Sequence, residues 1–240
     1  MKNVLLFGYG KMGSSIARGW MLKKLDFNIF IIEKEASLRK LAKKNGFNAY
    51  ENIKYLIENK KLKIFDIIFL AVKPQQMEET LISFSNFNLY KSVFVSIAAG
   101  LSFSWFRNKF NKDIKIVRAM PNLPASIGFG VTGYCKSKNL SEEEDIDVNS
   151  LLTAFSKTIY LNNESLNDKV TAISGAGPGY IFYLVEVLSQ IAIDKGFTKK
   201  DAKILAEETL IGSARLIEAS NIDPKKMGSI LYINQRLIIL

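Results

Sequence analysis

Histidine is absent from all 240 residues. That excludes Ser-His-Asp and Cys-His catalysis, imidazole acid–base work and histidine ligation of a metal, and no metal ion is expected. Cysteine occurs once, as Cys135, so neither an internal disulfide nor a cysteine zinc cluster can form. A reducing compartment is the default. Long hydrophobic runs are scarce: the most extended, residues 64–72, is broken by Asp66 and falls far short of a bilayer span. The apolar start meets Gly8 before a signal-peptide core can develop. A soluble, cytoplasmic protein with no membrane partner is therefore expected. Arginine is sparse, and the formal charge of +10 comes from lysines spread as pairs such as Lys23-Lys24, Lys43-Lys44 and Lys199-Lys200. Without an arginine-rich stripe or a nucleic-acid motif, that charge reads as a solvated surface and no nucleic-acid partner is expected.

What is present is ordinary globular text, 48% apolar and 23% charged, long enough for one large domain or two modest ones. Residues 4–7 form a wholly apolar run, the pattern of a parallel strand buried on both faces. Similar strands are expected at 27–32, 64–72, 93–97 and 114–117, alternating with helical segments. That alternation indicates βαβ units and an open parallel sheet. After Tyr134 the texture changes. Ser141 to Glu144 forms a capping box that opens a helix. Ile181, Leu184, Val185, Leu188, Ile191 and Ala192 share one helical stripe, Gly196 stops that helix and Thr198 opens the next. Two long helices with little strand between them leave an apolar stripe in need of a partner. The fold class expected is α/β: a Rossmann-like doubly wound parallel sheet over residues 1–161, followed by an all-helical dimerisation and substrate domain over 162–240.

The first strand runs into Gly8-Tyr9-Gly10-Lys11-Met12-Gly13, with Glu33 closing the second strand twenty residues beyond Gly13. Gly8 permits a tight turn, Gly10 admits a pyrophosphate to the backbone, and Gly13 allows close helix–strand packing. The free N–H groups at the helix start receive the pyrophosphate. Glu33 suits the ribose hydroxyls of NAD, while Lys34 beside it suits the 2′-phosphate of NADP, so either cofactor is open. Ala71-Val72-Lys73-Pro74 and Ala98-Ala99-Gly100 follow the third and fourth strands, where ligands of open α/β sheets bind. Arg118 and Asn122 lie in a proline-bounded loop, equally suited to internal hydrogen bonds and ligand contact. Ser174-Gly175-Ala176-Gly177-Pro178-Gly179-Tyr180 is a glycine-rich helix entrance that presents backbone donors to a carboxylate or permits a close helix crossing.

Together these blocks, with Arg118-Ala119-Met120-Pro121-Asn122 and the stretch from Val170 to Tyr180, resemble the pyrroline-5-carboxylate reductases from Val4 to about Met227. The resemblance implies hydride transfer from NADH or NADPH to 1-pyrroline-5-carboxylate, giving L-proline, the last step of proline biosynthesis. It implies cofactor contacts at Gly8, Gly10, Lys11, Met12 and Gly13, at Glu33 and Lys34, and at Asn52 on the adenosine side. Ala71, Val72, Lys73 and Pro74 with Ala98, Ala99 and Gly100 would flank the nicotinamide half. Glu164 would stand near the substrate's ring nitrogen, and Ser174, Gly175, Ala176 and Gly177 near its carboxylate. A homodimer or higher homo-oligomer is implied, with each active site formed between one subunit's cofactor crevice and helices of the dimer domain. Ala176 replaces the family's usual serine and Gly179 its usual alanine. After Met227 the family's Ser-Pro-Gly-Gly-Thr-Thr-like turn, whose threonine is a proposed proton donor, is replaced by other text. No catalytic residue is therefore assigned, the 228–240 segment is read as a frameshifted or truncated end, and a catalytically impaired dinucleotide-binding relative is the alternative.

Overall fold

Along β1 (Lys2–Phe7), Val4 and Leu6 enter one core while Leu5 and Phe7 enter another. That alternation is the period-2 geometry of a strand covered on both faces. The computed structural model describes residues 1–60, 64–84, 91–110, 114–220 and 222–235. Following β1 come α1 (Lys11–Leu22), β2 (Phe27–Ile32), α2 (Ala36–Lys44), β3 (Asn48–Tyr50), α3 (Ile53–Lys60), β4 (Ile67–Leu70) and α4 (Pro74–Ile82). Next are β5 (Val93–Ser96), α5 (Phe103–Phe110), β6 (Lys115–Pro121), β7 (Gly130–Lys136), α6 (Glu142–Thr153) and β8 (Ser156–Tyr160). The chain then turns helical through α7 (Ser165–Val170), a π-helical stretch (Thr171–Gly175), α8 (Gly177–Asp194), α9 (Lys199–Ser220) and α10 (Pro224–Gln235).

The eight strands lie in the order β3-β2-β1-β4-β5-β6-β7-β8. Every neighbouring pair is parallel except β6 with β7, which is antiparallel. The first six reproduce the doubly wound Rossmann order, with its switch point between β1 and β4. One sheet face packs Leu6, Phe69 and Val95 against Ile16 and Trp20 of α1 and Val148, Leu151 and Leu152 of α6. Trp20 donates its indole N–H to the Leu151 carbonyl at 2.8 Å and meets Phe69 edge-on at 4.9 Å. The other face packs Leu5, Ile68 and Phe94 against Leu56, Met77 and Phe106. α1 approaches closely at Gly19, where a Cβ would fall 2.6 Å from that of Phe155.

Several expectations need correction. The third expected strand is shorter: β4 spans Ile67–Leu70, preceded by Asp66, whose carboxylate accepts the Asn3 backbone N–H at 2.7 Å. The fifth is longer: β7 pairs with β6 from Val117 to Pro121, so Arg118 is a strand residue rather than a loop residue. β3, β7 and β8 were not anticipated. β3 has three residues, β7 carries two glycines, and β8 is largely polar with an exposed outer end. The antiparallel β6–β7 pair also makes the sheet mixed rather than purely parallel. The chain divides into two compact units, Met1–Pro178 and Gly179–Leu240. β8 ends at Tyr160, just before the expected boundary at 161/162, and α7 beyond it packs on β6 and β7.

In the second unit, Gly196 ends α8 with φ +94°, its N–H reaching the Ile193 carbonyl at 2.9 Å. Thr198 opens α9 by accepting the Asp201 N–H at 3.2 Å. No residue of α8 is buried, whereas α9 buries Ala202 and Ala206. The continuous helical run Ser165–Asp194 is long and apolar enough to cross a membrane, with mean hydropathy 1.3 over a window that has no buried residue. It exceeds the 64–72 run that the sequence reading took as the most extended.

Candidate functional site

Parallel strands deliver their carboxyl ends to one edge of the sheet, and at the β1/β4 switch point those ends part into a cleft of about 340 Å³. Gly8 leaves β1 with φ +92°, a conformation that strongly favours glycine, and a Cβ there would lie 2.5 Å from the Ala71 carbonyl oxygen. Gly10 forms the N-cap of α1 in extended conformation without any side-chain cap, and a Cβ at Gly10 would meet open space. Gly13 is the tight contact: its Cβ would sit 2.1 Å from the Gly8 carbonyl oxygen. The opening of α1 thus combines free backbone donors, a positive dipole end and no acidic residue in its first turn. These features fit the pyrophosphate of a dinucleotide.

The register Phe7↔Ile32 sets Glu33 beside this turn. Its Oε2 accepts the Tyr9 N–H at 2.6 Å and its Oε1 accepts the Glu35 N–H at 2.8 Å. Lys34 pairs with Glu79 of α4. Arg39 donates to the carbonyl oxygens of Glu33 and Lys34 at 2.8 and 2.9 Å and reaches Glu51 at 3.4 Å. Gly8, Gly10, Glu33, Lys34, Ala71, Val72 and Lys73 line one cleft. Lys11, Met12 and Gly13 follow in the first turn of α1, and Pro74 opens α4. Ala98, Ala99 and Gly100 follow β5, whose Ser96 pairs in register with Leu70 of β4, and Gly100 has φ +77°. Asn52 lies apart. Its side chain accepts the Tyr55 N–H at 2.8 Å at the start of α3, and it lines a different cleft with Arg39 and Tyr55. The sequence reading missed the contribution of α4, whose Gln76, Glu79 and Thr80 close the glycine cleft. Pro74 at the first helical position was the available signal.

The remaining candidates hang from β6. Arg118 is buried, and its Nη1 donates to Glu164 Oε1 at 2.7 Å, with Asp168 3.4 Å from its Nη2. Glu164 Oε1 also accepts the Phe103 N–H at 2.6 Å, closing the start of α5. Among the described residues Arg118 Nε has no hydrogen-bond partner. Glu164 lines a cleft of about 550 Å³ with Phe103, Arg107, Tyr160 and Asn162. Cys135 borders it too, yet burial pushes its thiol up to about 11 despite the opposing Arg118 charge, so it is no nucleophile near neutrality. Asn122 is satisfied internally: it accepts the Val131 N–H at 2.9 Å and donates to the Ser174 carbonyl at 3.2 Å. The glycine-rich entrance is partly committed as well. Ser174 donates its hydroxyl to the Val170 carbonyl at 3.1 Å, and the Ala176 N–H reaches Thr171 at 2.8 Å. A Cβ at Gly175 would find ordinary contact with Met120 at 3.5 Å, and at Gly177 or Gly179 nothing within 4 Å. Within the described chain, no close helix crossing requires these glycines.

Two family models match. The one described as pyrroline-5-carboxylate reductase dimerisation covers residues 164–230. The one described as NADP oxidoreductase coenzyme F420-dependent covers residues 3–100. A pyrroline-5-carboxylate reductase from Aquifex aeolicus is 33% identical over 222 residues, 92% of this chain and 80% of that protein. One from Staphylococcus saprophyticus is 30% identical over 229 residues, covering 93% and 82%. The structure of a pyrroline-5-carboxylate reductase from Coxiella burnetii superposes with a TM-score of 0.84 at 26% identity, covering 96% of this chain and 84% of that one.

Proposed function

The chain belongs to the pyrroline-5-carboxylate reductase family, and from that premise we propose that it reduces 1-pyrroline-5-carboxylate to L-proline with NADH or NADPH. The observation that carries the reading is the glycine turn of β1–α1, open at Gly10 and closed at Gly13, on the switch-point cleft. A nicotinamide held there would supply the hydride that reduces the C=N carbon of the protonated imine to the amine of proline, with oxidation of the cofactor. The protein's own part is to bind, orient and exclude water. Backbone donors at Gly10, Lys11 and Met12 hold the pyrophosphate. Ala71, Val72, Lys73 and Pro74, with Ala98, Ala99 and Gly100, shape the nicotinamide half. Glu164, fixed by Arg118 and the Phe103 N–H, offers an anion that favours the iminium form of the substrate. Ser174, Gly175, Ala176 and Gly177 border the substrate carboxylate.

The helical C-terminal part serves self-association, a reading supported by the dimerisation match. Exposed Tyr180, Ile181, Phe182, Tyr183 and Leu184 on α8 then meet a second copy of the chain rather than lipid, in keeping with a soluble cytoplasmic enzyme free of nucleic acid. The functional boundary at 161/162 accords with a match that starts at 164.

A second reading, a dinucleotide-binding relative without turnover, rests on α10. That helix runs on to Gln235, through the positions where the family resemblance calls for a glycine turn on the substrate carboxylate. Losing a positioned proton donor costs on the order of 10²–10⁴ in rate. One experiment separates the readings: nicotinamide oxidation in the presence of 1-pyrroline-5-carboxylate, beside cofactor binding by fluorescence. Turnover with proline formation supports the reductase. Binding without turnover selects the second reading, and no binding removes both.

A further inference from the structure

Whether the cleft admits NADH or NADPH is decided at the adenosine ribose, where the two cofactors differ by one 2′-phosphate. Building on the proposed cofactor cleft, we propose that this chain is built for the 2′,3′-diol of NADH and against the 2′-phosphate of NADPH, with Glu33 as the discriminating residue.

Glu33 leaves the end of β2, and its carboxylate bridges two turns. One oxygen holds the Tyr9 N–H of the glycine turn at 2.6 Å and the other the Glu35 N–H ahead of α2 at 2.8 Å. Two backbone anchors from separate segments prevent the carboxylate from swinging aside to make room for a phosphate. Each oxygen keeps a further lone pair, and a carboxylate accepts readily from a hydroxyl. A diol therefore finds an acceptor already in place, whereas a phosphate offers only like charge.

Of the cations near this charge, Arg39 is engaged elsewhere and Lys34 is a solvated surface group. Arg39 spends its guanidinium on the carbonyl oxygens of Glu33 and Lys34 and on Glu51. The Lys34 ammonium pairs with Glu79. The Ser37 hydroxyl at the start of α2 is turned to the Glu35 carboxylate, which sets a second negative charge beside the first-turn N–H groups of that helix. The cleft lining carries three carboxylates, Glu33, Glu35 and Glu79, against two ammonium groups, Lys34 and Lys73. The Lys34–Glu79 pair is 68% exposed on both sides, so it is weak and screened. The immobile carboxylate of Glu33 then outweighs a mobile surface lysine.

The test is direct binding on the full chain, without substrate. NADH and NADPH are titrated separately by nicotinamide fluorescence, and 5′-AMP and adenosine 2′,5′-bisphosphate are used as redox-inert competitors. The expected result is NADH tighter than NADPH by about tenfold or more, with 5′-AMP outcompeting the bisphosphate, since like charges set against each other penalise the wrong ligand. The preference should shrink as salt is raised, because screening weakens the repulsion. In Glu33→Gln the gap should narrow, chiefly through tighter NADPH binding. NADPH binding as tight as NADH or tighter in the parent protein overturns the proposal while leaving the cofactor cleft intact. Binding of neither nucleotide overturns the cleft reading and this inference together. Should Glu33→Gln not fold, the parent's NADH-to-NADPH ratio and its salt dependence decide alone.

Discussion

A methyl group added at Gly10 enters open space, whereas one added at Gly13 lies 2.1 Å from the Gly8 carbonyl oxygen. The sequence presents these as two glycines of one motif, but their burdens differ. Gly13 serves the fold, whereas Gly10 faces open space that the proposed ligand would use. Gly13→Ala is expected to cost on the order of 3 kcal/mol by overpacking the strand–helix contact. Gly10→Ala is expected to keep stability within about 1 kcal/mol yet lose most cofactor affinity. Thermal melts set beside nucleotide titrations check both. Unchanged affinity in Gly10→Ala would place the pyrophosphate elsewhere. Glu33 shows a further contrast at this scale. Its position in the motif was legible from spacing, but the two backbone N–H groups that lock its carboxylate come from turns that only the folded sheet brings together.

Short strands and helix entrances decide the next scale. α6 begins with a reciprocal capping box: Ser141 accepts the Glu144 N–H and Glu144 accepts the Ser141 N–H. Burial alone would raise the Glu144 carboxyl, but hydrogen bonds from Lys115 and the Ser141 N–H outweigh it and hold the group below its ordinary value. A lowered native pKa stabilises the fold fully above the unfolded glutamate range, and that contribution is lost as pH falls through the native value. Glu144→Gln should therefore cost about 1 kcal/mol near neutrality, with the difference from the parent shrinking as pH drops to about 3. Melts of both proteins across that range are the check, and a constant difference would assign the loss to packing. This box was readable from Ser141-Glu142-Glu143-Glu144 because capping is local. β7 was not readable, because its glycines resist strand assignment until β6 supplies the ladder. The same pairing carries β6 on through Arg118 and so aims that guanidinium at Glu164 and Asp168 rather than into a loop.

For the molecule as a whole, α8 exposes a row of large apolar side chains that solvent alone does not stabilise. Tyr180 is 63% exposed, Phe182 59% and Tyr183 67%. Large exposed apolar side chains on several sides of one helix mark an association surface. The double substitution Ile181→Glu with Leu184→Glu is expected to convert the oligomer to monomer in analytical ultracentrifugation. Nucleotide binding should persist, because the glycine cleft lies wholly in the first unit. An unchanged sedimentation coefficient would place the association surface on another face.

Periodicity, capping chemistry and glycine spacing act between neighbours in the chain, so the sequence alone determined the doubly wound half, the glycine turn at Gly8, Gly10 and Gly13, and the helical second part. Cross-strand register and side-chain pairing act between residues far apart in the chain, so tertiary structure alone decided the rest. It turned β7 antiparallel and joined β8 to the sheet. It buried Arg118 against Glu164 and committed Asn122 to Ser174. It also locked Glu33 between two backbone turns, and on that fixed charge the proposed preference for NADH rests.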